Sequence, residues 1–340
     1  MKILSLIPAR SGSKGIKNKN IKLLNNKPLL SYSIEQSLNS KLINRTIVST
    51  DSIEYSKIAS HYGAETPYLR PSNISGDLST DLETFSHALN WLKEKENYVP
   101  DICVHLRPTH PFRNIEDIDK MIKMIISDPN IDSVRSISEA TETPYKMWRV
   151  ENENSLIPLL KEIKESYNMP RQSLPKIYYQ NACIEVIRTE TIINKKSMTG
   201  DNIKGYIMNY NYDIDTEEDF IRTENVLKFK EIISGNKKKV FCFDIDGVIA
   251  NIVENLDYSQ STPNNKIIKI INRLYERGNK IILFTARGYV SKINWEETTK
   301  KQMKKWGLKY TELIFGKPAA DFYIDDKMLS LTDLVNLSIF

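Results

Sequence analysis

The chain has 340 residues, 40% hydrophobic and 27% charged, with a formal net charge of +5. That length exceeds one ordinary domain, the composition is that of a globular protein, and no 18-residue apolar run signals a membrane span. The positive charge is spread along helix faces such as KEKEN and KKQMKKWG, so no concentrated basic face points to nucleic acid.

The opening segment MKILSLIPARSGSKG turns basic too soon for a signal peptide. The three cysteines, Cys103, Cys183 and Cys242, lie far apart in apolar runs without metal spacing. Both features are expected of a cytoplasmic protein with reduced core thiols. KILSLIPA reads as a strand, PLLSYSIEQSLNS as a helix, RTIVSTD as a strand, and IEYSKIASHYG as a helix closed by Gly63. LETFSHALNWLKEKE is a helix, DICVHLRPT a strand, IEDIDKMIKMIIS a helix and DSVRSIS a strand. This alternation predicts an α/β domain with a parallel sheet covered by helices on both faces.

Residues 141–180 break the rhythm with Pro, Lys and aromatic residues, as a long surface loop or a dimerisation arm, here 141–175, does. KGYIMNYNYDIDTEEDF then ends in a helix running to a linker that contains SGNKKK. A smaller βαβ series follows: VFCFDIDGV, KIIKIINRLYERG, KIILFTARG, NWEETTKKQMKKWG, ELIFG and DFYIDD. The expected boundaries are 1–230 for the first domain, 231–239 for the linker and 240–340 for the second domain.

In the second domain, Asp244 and Asp246 are placed at the C-terminal end of a strand, where open α/β sheets carry their chemistry. Carboxylates this close repel unless a cation shares them, which implies Mg²⁺. Thr285 ends a second strand, Lys317 follows a third, and Asp325 with Asp326 closes a fourth. This ordered set resembles the haloacid dehalogenase (HAD) superfamily of phosphatases. The resemblance implies Asp244 as nucleophile, Asp246 as general acid/base, Thr285 and Lys317 as phosphate holders, and Asp325 completing a magnesium site with Asp244 and Asp246. Nothing large interrupts the segment, so a small capless HAD-like Rossmannoid domain acting on a phosphorylated sugar is expected.

Behind the first strand lies IPARSGSKGIKNKNI, with Arg10, Lys14 and Lys19 among Gly12 and Gly15. Glycines in such a loop let backbone N–H groups face an anion that the cations neutralise. It is neither a Walker loop nor a dinucleotide fingerprint. Taken alone, a solvated surface loop fits it too. Further along, VSTD ends in Asp51, YLRPSNISGD offers Arg70 and Asp77, LRPTHPFR offers Arg107 and Arg113, and PYKMW offers Lys146. PRQSLPKIYYQNACIEV brings Arg171, Gln172, Tyr179 and Asn181. YDIDTEEDF spaces Asp213 and Asp215 for a divalent cation.

In that order the segments resemble the CMP-acylneuraminate synthetase family of sugar-activating cytidylyltransferases, across residues 1 to about 228. The resemblance implies a nucleotide-diphospho-sugar-transferase-like, Rossmann-type fold, CTP as donor, Mg²⁺ as cofactor, and a homodimer or homotetramer joined through the arm. Arg10, Lys14 and Lys19 then carry the CTP phosphates, while Asn20, Arg70 and Thr80 lie near the cytidine. Asp213 and Asp215 hold the metal. Lys146 and Arg171 meet the acceptor's acid group, and Gln172 and Tyr179 join the substrate-binding set.

Three departures from the family pattern stand out. Arg107 replaces a neutral amide, Ala182 replaces a frequent glycine, and GDLSTD differs on the nucleotide side. An added guanidinium suits a sugar phosphate acceptor, unless Arg107 simply pairs with a nearby carboxylate. The expectation is a bifunctional enzyme, a cytidylyltransferase joined to a phosphatase, each with one magnesium. The alternative keeps the transferase alone and makes the second domain a noncatalytic oligomerisation module.

Overall fold

The computed structural model describes residues 1–209, 212–234 and 238–320, together with 323, 328, 330, 331 and 334. The chain forms two compact units, Met1–Phe220 and Ile221–Phe340.

In the first unit, β1 (Ile3–Pro8) alternates Ile3, Ser5 and Ile7 with Leu4 and Leu6. All five are buried, so the strand is covered on both faces, as a central parallel strand must be. A small hairpin, β2 (Leu23–Leu24) and β3 (Lys27–Pro28), leads into α1 (Leu29–Leu38). Next come β4 (Arg45–Ser49), α2 (Ile53–His61), α3 (Asp81–Glu96), β5 (Ile102–His105), α4 (Ile115–Ser127) and β6 (Ser133–Glu139). The arm contains the hairpin β7 (Trp148–Val150) and β8 (Leu156–Pro158). β9 (Tyr178–Arg188), α5 (Thr189–Asn194) and β10 (Ile203–Ile207) complete the unit, and α6 (Glu217–Ser234) carries the chain onward.

The six-stranded sheet has the order β10-β6-β9-β5-β1-β4. β1 pairs in parallel with β4 and β5, and β10 with β6, whereas β9 runs antiparallel between β5 and β6. The expected all-parallel sheet is therefore corrected to a mixed one. One face packs Ile3, Ile7, Val48 and Val104 with Ile34 of α1 and Ile118, Met121 and Ile125 of α4. The other packs Leu4, Leu6, Ile47 and Cys103 with Phe85 and Leu92 of α3 and Ile192 of α5.

The register of β9 against β6 shifts between Arg135 and Ile137, so β9 carries a bulge there. Asn181 patches it: Ser136 Oγ donates to its Oδ1 at 2.6 Å, and its Nδ2 donates to Ser138 Oγ at 2.9 Å. Ala182 has φ 54°, the left-handed region where a glycine is unstrained.

The second unit holds β11 (Val240–Phe243), α7 (Asn265–Glu276), β12 (Lys280–Thr285), α8 (Glu296–Lys305) and β13 (Glu312–Phe315). The three strands form a parallel sheet in the order β11-β12-β13. α7 starts at Asn264, whose side chain accepts from Ile267 N, and buries Ile267, Ile270, Ile271 and Leu274, one face at helical spacing. Cys103 and Cys183 are buried as expected, but Cys242 is exposed among the described residues. α6 runs through Ser234, so the first residues of the expected linker are helical, and 235–237 lie outside the described residues. No described helix is long and apolar enough to cross a membrane.

Candidate functional site

The loop behind β1 is tied at both ends. Asp51, just past β4, accepts from Ser11 N and Ser11 Oγ, each at 2.7 Å. Asn20 is buried and donates from Nδ2 to Arg10 O at 3.0 Å, so the far end of the loop holds its beginning. Between these anchors Gly12 has φ 74°, which turns the chain at a residue free of Cβ strain. Burial acts on the Asp51 carboxyl, yet its bonds from Ser11 outweigh that and hold its pKa below the usual range.

The loop closes onto the acidic segment. A Cβ on Gly15 would stand 2.7 Å from Asp215 O, so only glycine lets the two backbones approach. Lys19 Nζ donates to Ile214 O at 2.7 Å and to Asp215 Oδ1 at 3.0 Å. Arg10 Nη1 lies 2.8 Å from Asp77 Oδ1, and Lys14 pairs with the other oxygen of the same carboxylate. Arg10, Lys14, Lys19, Asp213 and Asp215 thus converge on one end of the sheet.

Asp213 is the unsatisfied member of this group. Its Oδ1 is buried without a hydrogen-bond partner and lies 3.7 Å from Nε2 of the buried His110. Burial, with Asp215 beside it, pushes the Asp213 carboxyl above its usual range. Burial and the guanidinium groups of Arg113 and Arg107 keep the His110 imidazole neutral, well below its ordinary pKa. An orphaned buried carboxylate oxygen beside a second carboxylate fits a divalent cation. Among the described residues no group of three or more ligating side chains occurs, so phosphate or water oxygens would have to supply the rest.

Arg70 is buried. Nη1 donates to Thr84 Oγ1 at 2.9 Å, while Nε and Nη2 have no hydrogen-bond partner. Thr80 is the N-cap of α3: its hydroxyl accepts from Glu83 N, and the Glu83 carboxylate accepts from Thr80 N. Arg107 donates from Nη2 to Asp81 Oδ2 at 2.7 Å and lies 3.7 Å from Glu185. It therefore has the nearby carboxylates that the simpler sequence reading allowed.

Glu185 is a residue that the sequence reading passed over. It is 1% exposed on β9 and accepts from Arg135, 2.6 Å away, and from Gln180 Nε2 at 2.8 Å, with His105 Nδ1 at 2.9 Å. Burial would raise its pKa, but His105, Arg135 and Arg107 outweigh that and hold it at about 2. The signal available was one acidic residue inside the apolar run ACIEVI. Arg113 braces the same corner, donating to Cys183 O at 2.6 Å and to Ser33 Oγ at 2.8 Å.

Lys146, Arg171 and Gln172 lie on the arm and Tyr179 on β9; all four are exposed, and Arg171 donates to Ala140 O at 3.1 Å. Trp148 packs on Tyr167 with ring centroids 4.4 Å apart.

In the second unit, Asp244 follows β11, Thr285 ends β12 and Lys317 follows β13, so the parallel register brings all three to one sheet edge. Lys317 pairs with Asp244 Oδ2, and its backbone N–H donates to Thr285 O at 3.2 Å. Arg287, also missed in the sequence, grips Asp246 through Nε at 2.8 Å and Nη2 at 2.7 Å. Asp325 and Asp326 lie outside the described residues, and Arg287 takes the Asp246 carboxylate. The described side chains alone therefore do not make a magnesium site.

Comparison with known proteins bears on the first of these constellations. Residues 4–244 match the model of the family described as cytidylyltransferase. Post-translational flagellin modification protein B of Campylobacter coli is 32% identical over 68% of this chain and 97% of its own length. CMP-N,N'-diacetyllegionaminic acid synthase of Legionella pneumophila is 31% identical over 68% of this chain and 98% of its own. The N-acylneuraminate cytidylyltransferase of Escherichia coli O18:K1:H7 is 34% identical over 64% of this chain, which spans 50% of that longer protein. Among solved structures, a CMP:2-keto-3-deoxy-manno-octonic acid synthetase complexed with CTP superposes with a TM-score of 0.51 at 14% identity. It covers 68% of this chain and 100% of its own, a likeness of fold. With the family model spanning well over half of its length, the chain belongs to the cytidylyltransferase family.

Proposed function

We propose that the first unit transfers a cytidylyl group from CTP to an acidic sugar of the nonulosonic class, releasing pyrophosphate. The observation that carries this reading is the closure of the phosphate loop on the acidic segment through Gly15 and Lys19. Similarity to an N-acylneuraminate cytidylyltransferase and a CMP-N,N'-diacetyllegionaminic acid synthase supports the acceptor class.

In this reading Arg10, Lys14 and Lys19 neutralise the triphosphate, and the unpartnered donors of Arg70 meet acceptor atoms of the nucleotide. An acceptor hydroxyl oxygen attacks the α-phosphorus in line and loses its proton to water, and the bond to the pyrophosphate oxygen breaks as the cations offset its growing charge. Magnesium, when held by Asp213 and Asp215, supplies further neutralisation. Arg107, engaged by Asp81, favours a keto acid over a phosphorylated acceptor. Lys146 and Arg171 are offered to the acceptor carboxylate from the arm, whose exposed Met147, Trp148, Val150 and Leu156 suit contact with a second copy.

The test is pyrophosphate release by the purified chain with magnesium, each nucleoside triphosphate, and a panel of nonulosonic acids and sugar phosphates. CTP with a nonulosonic acid should be the productive pair. A clear preference for another triphosphate would overturn the donor, and for sugar phosphates the acceptor.

A second reading concerns the second unit. The convergence of Asp244, Thr285 and Lys317 supports phosphate-monoester hydrolysis by a HAD-type site. Asp244 attacks phosphorus as the bond to the sugar oxygen breaks, water then cleaves the aspartyl phosphate, and proton transfer by Asp246 requires that it first leave Arg287. Equal, negligible phosphate release by the intact chain and by Asp244→Asn from a phosphosugar panel would return this unit to an assembly role.

A further inference from the structure

The cation pair Arg10–Lys14 is already occupied by a carboxylate of the protein. Asp77 reaches Arg10 Nη1 at 2.8 Å and also pairs with Lys14, bridging the two side chains as a phosphate oxygen pair would. Lys19, the third cation of the loop, is engaged by Asp215.

The segment that carries Asp77 is fixed at its roots. Arg70 N donates to Thr50 O at 2.7 Å on one side, and the Thr80–Glu83 capping box holds the other. Between them lie a single turn at Ser72–Ile74 and a local bond from Gly76 N to Ser79 Oγ at 2.9 Å. Leu78, next to Asp77, is 94% exposed. The two ion pairs of Asp77 thus link the tip of this segment to the phosphate loop.

We propose that Asp77 is an internal competitor for the nucleotide phosphates, a latch that holds the 72–79 segment on the phosphate loop until a polyphosphate displaces it. The proposal rests on Arg10 and Lys14 being phosphate cations. Solvent-exposed ion pairs are weak, so several phosphate charges can expel one carboxylate whereas a weakly charged anion cannot. The latch lowers the apparent affinity by the fraction of molecules in which the cations are free. Lys14 and Arg10 hold the Asp77 carboxyl below its usual pKa, so it stays charged at neutral pH.

Binding of inorganic pyrophosphate to the full chain, by calorimetry at low salt, tests this. Asp77→Asn should bind on the order of threefold to tenfold more tightly than the parent, because the competing charge is gone. Pyrophosphate should also speed proteolytic cleavage within 72–79 in the parent and leave Asp77→Asn, already released, unchanged. Equal or weaker binding by Asp77→Asn, or no effect of pyrophosphate on cleavage of the parent, would overturn the latch. Arg10→Ala separates the two ideas: if it binds pyrophosphate as well as the parent, the phosphate-site reading itself fails.

Discussion

Lys19 donates to Ile214 O at 2.7 Å and to Asp215 Oδ1 at 3.0 Å, joining the phosphate loop to an acidic segment 195 residues later in the chain. One ammonium group therefore sets the distance between the loop proposed to hold the triphosphate and the carboxylates proposed to hold a cation. Lys19→Ala should lower kcat/KM for pyrophosphate release by on the order of 10²–10³, the usual loss when a preorganised charge is removed. Unfolding free energy should change by no more than about 1 kcal/mol, since Asp215 is largely exposed and such pairs contribute little. Steady-state kinetics beside urea unfolding checks both halves.

Gly15 tests the same closure without touching a charge. An alanine methyl there would meet Asp215 O at 2.7 Å, and the obstacle is backbone rather than a movable side chain. Gly15→Ala should cost on the order of 10- to 100-fold in kcat, as small misplacements at reacting centres do. Wild-type turnover in Gly15→Ala would show that loop and acidic segment need not touch.

Glu185 carries a pH prediction. Its folded pKa of about 2 lies below the unfolded value of about 4.3, so its stabilisation is complete above the unfolded value and is lost as pH falls through the folded one. Glu185→Gln leaves Arg135 buried without its carboxylate and should destabilise the chain by about 3–5 kcal/mol at pH 7. The gap to the parent should narrow as pH drops from about 4.3 toward 2. Urea midpoints across pH 7 to pH 3 measure it, and a constant gap would mean that the cluster does not depend on this charge.

The main features of this architecture were legible where local pattern and tertiary context agree. β1 reads as a two-sided buried strand because Ile3, Leu4, Leu6 and Ile7 leave no polar face, and α7 because its isoleucines repeat at helical spacing. β9 was not legible: its bulge breaks the alternation of YYQNACIEVIR, and its antiparallel pairing between β5 and β6 is a tertiary fact. Candidate residues that advertise themselves by charge and glycine spacing, such as Arg10, Lys14 and Asp213, could be singled out in the sequence. Residues that work by holding others, such as Glu185 and Arg287, were not, and Asp51 stood out without its partner Ser11, because only the folded chain shows whom they touch.

Ala182 stands at φ 54° on the bulge of β9, with Asn181 patching the strand beside it. A left-handed alanine costs about 1–2 kcal/mol, partly offset by the lower entropy of the unfolded chain relative to glycine. Ala182→Gly should therefore stabilise by about 0.5 kcal/mol. A rise in the urea midpoint with unchanged slope checks this; a fall would show that the alanine methyl packs favourably.

Arg287 supplies the sharpest test of the second unit. Its side chain is fully buried, with both oxygens of Asp246 on Nε and Nη2, Thr299 at 3.2 Å and Gln302 at 2.7 Å from Nη1, and Ser261 at 3.2 Å from Nη2. A lysine keeps the charge but not the fork, so Arg287→Lys should cost about 2–4 kcal/mol through donors and acceptors left unmatched. Much of that should already be lost in Asp246→Asn, making the double variant less destabilised than the sum of the singles. Urea unfolding of the four proteins gives the coupling directly. Strict additivity would mean that the two side chains stabilise the unit independently, and would remove Arg287 as the residue that orients Asp246.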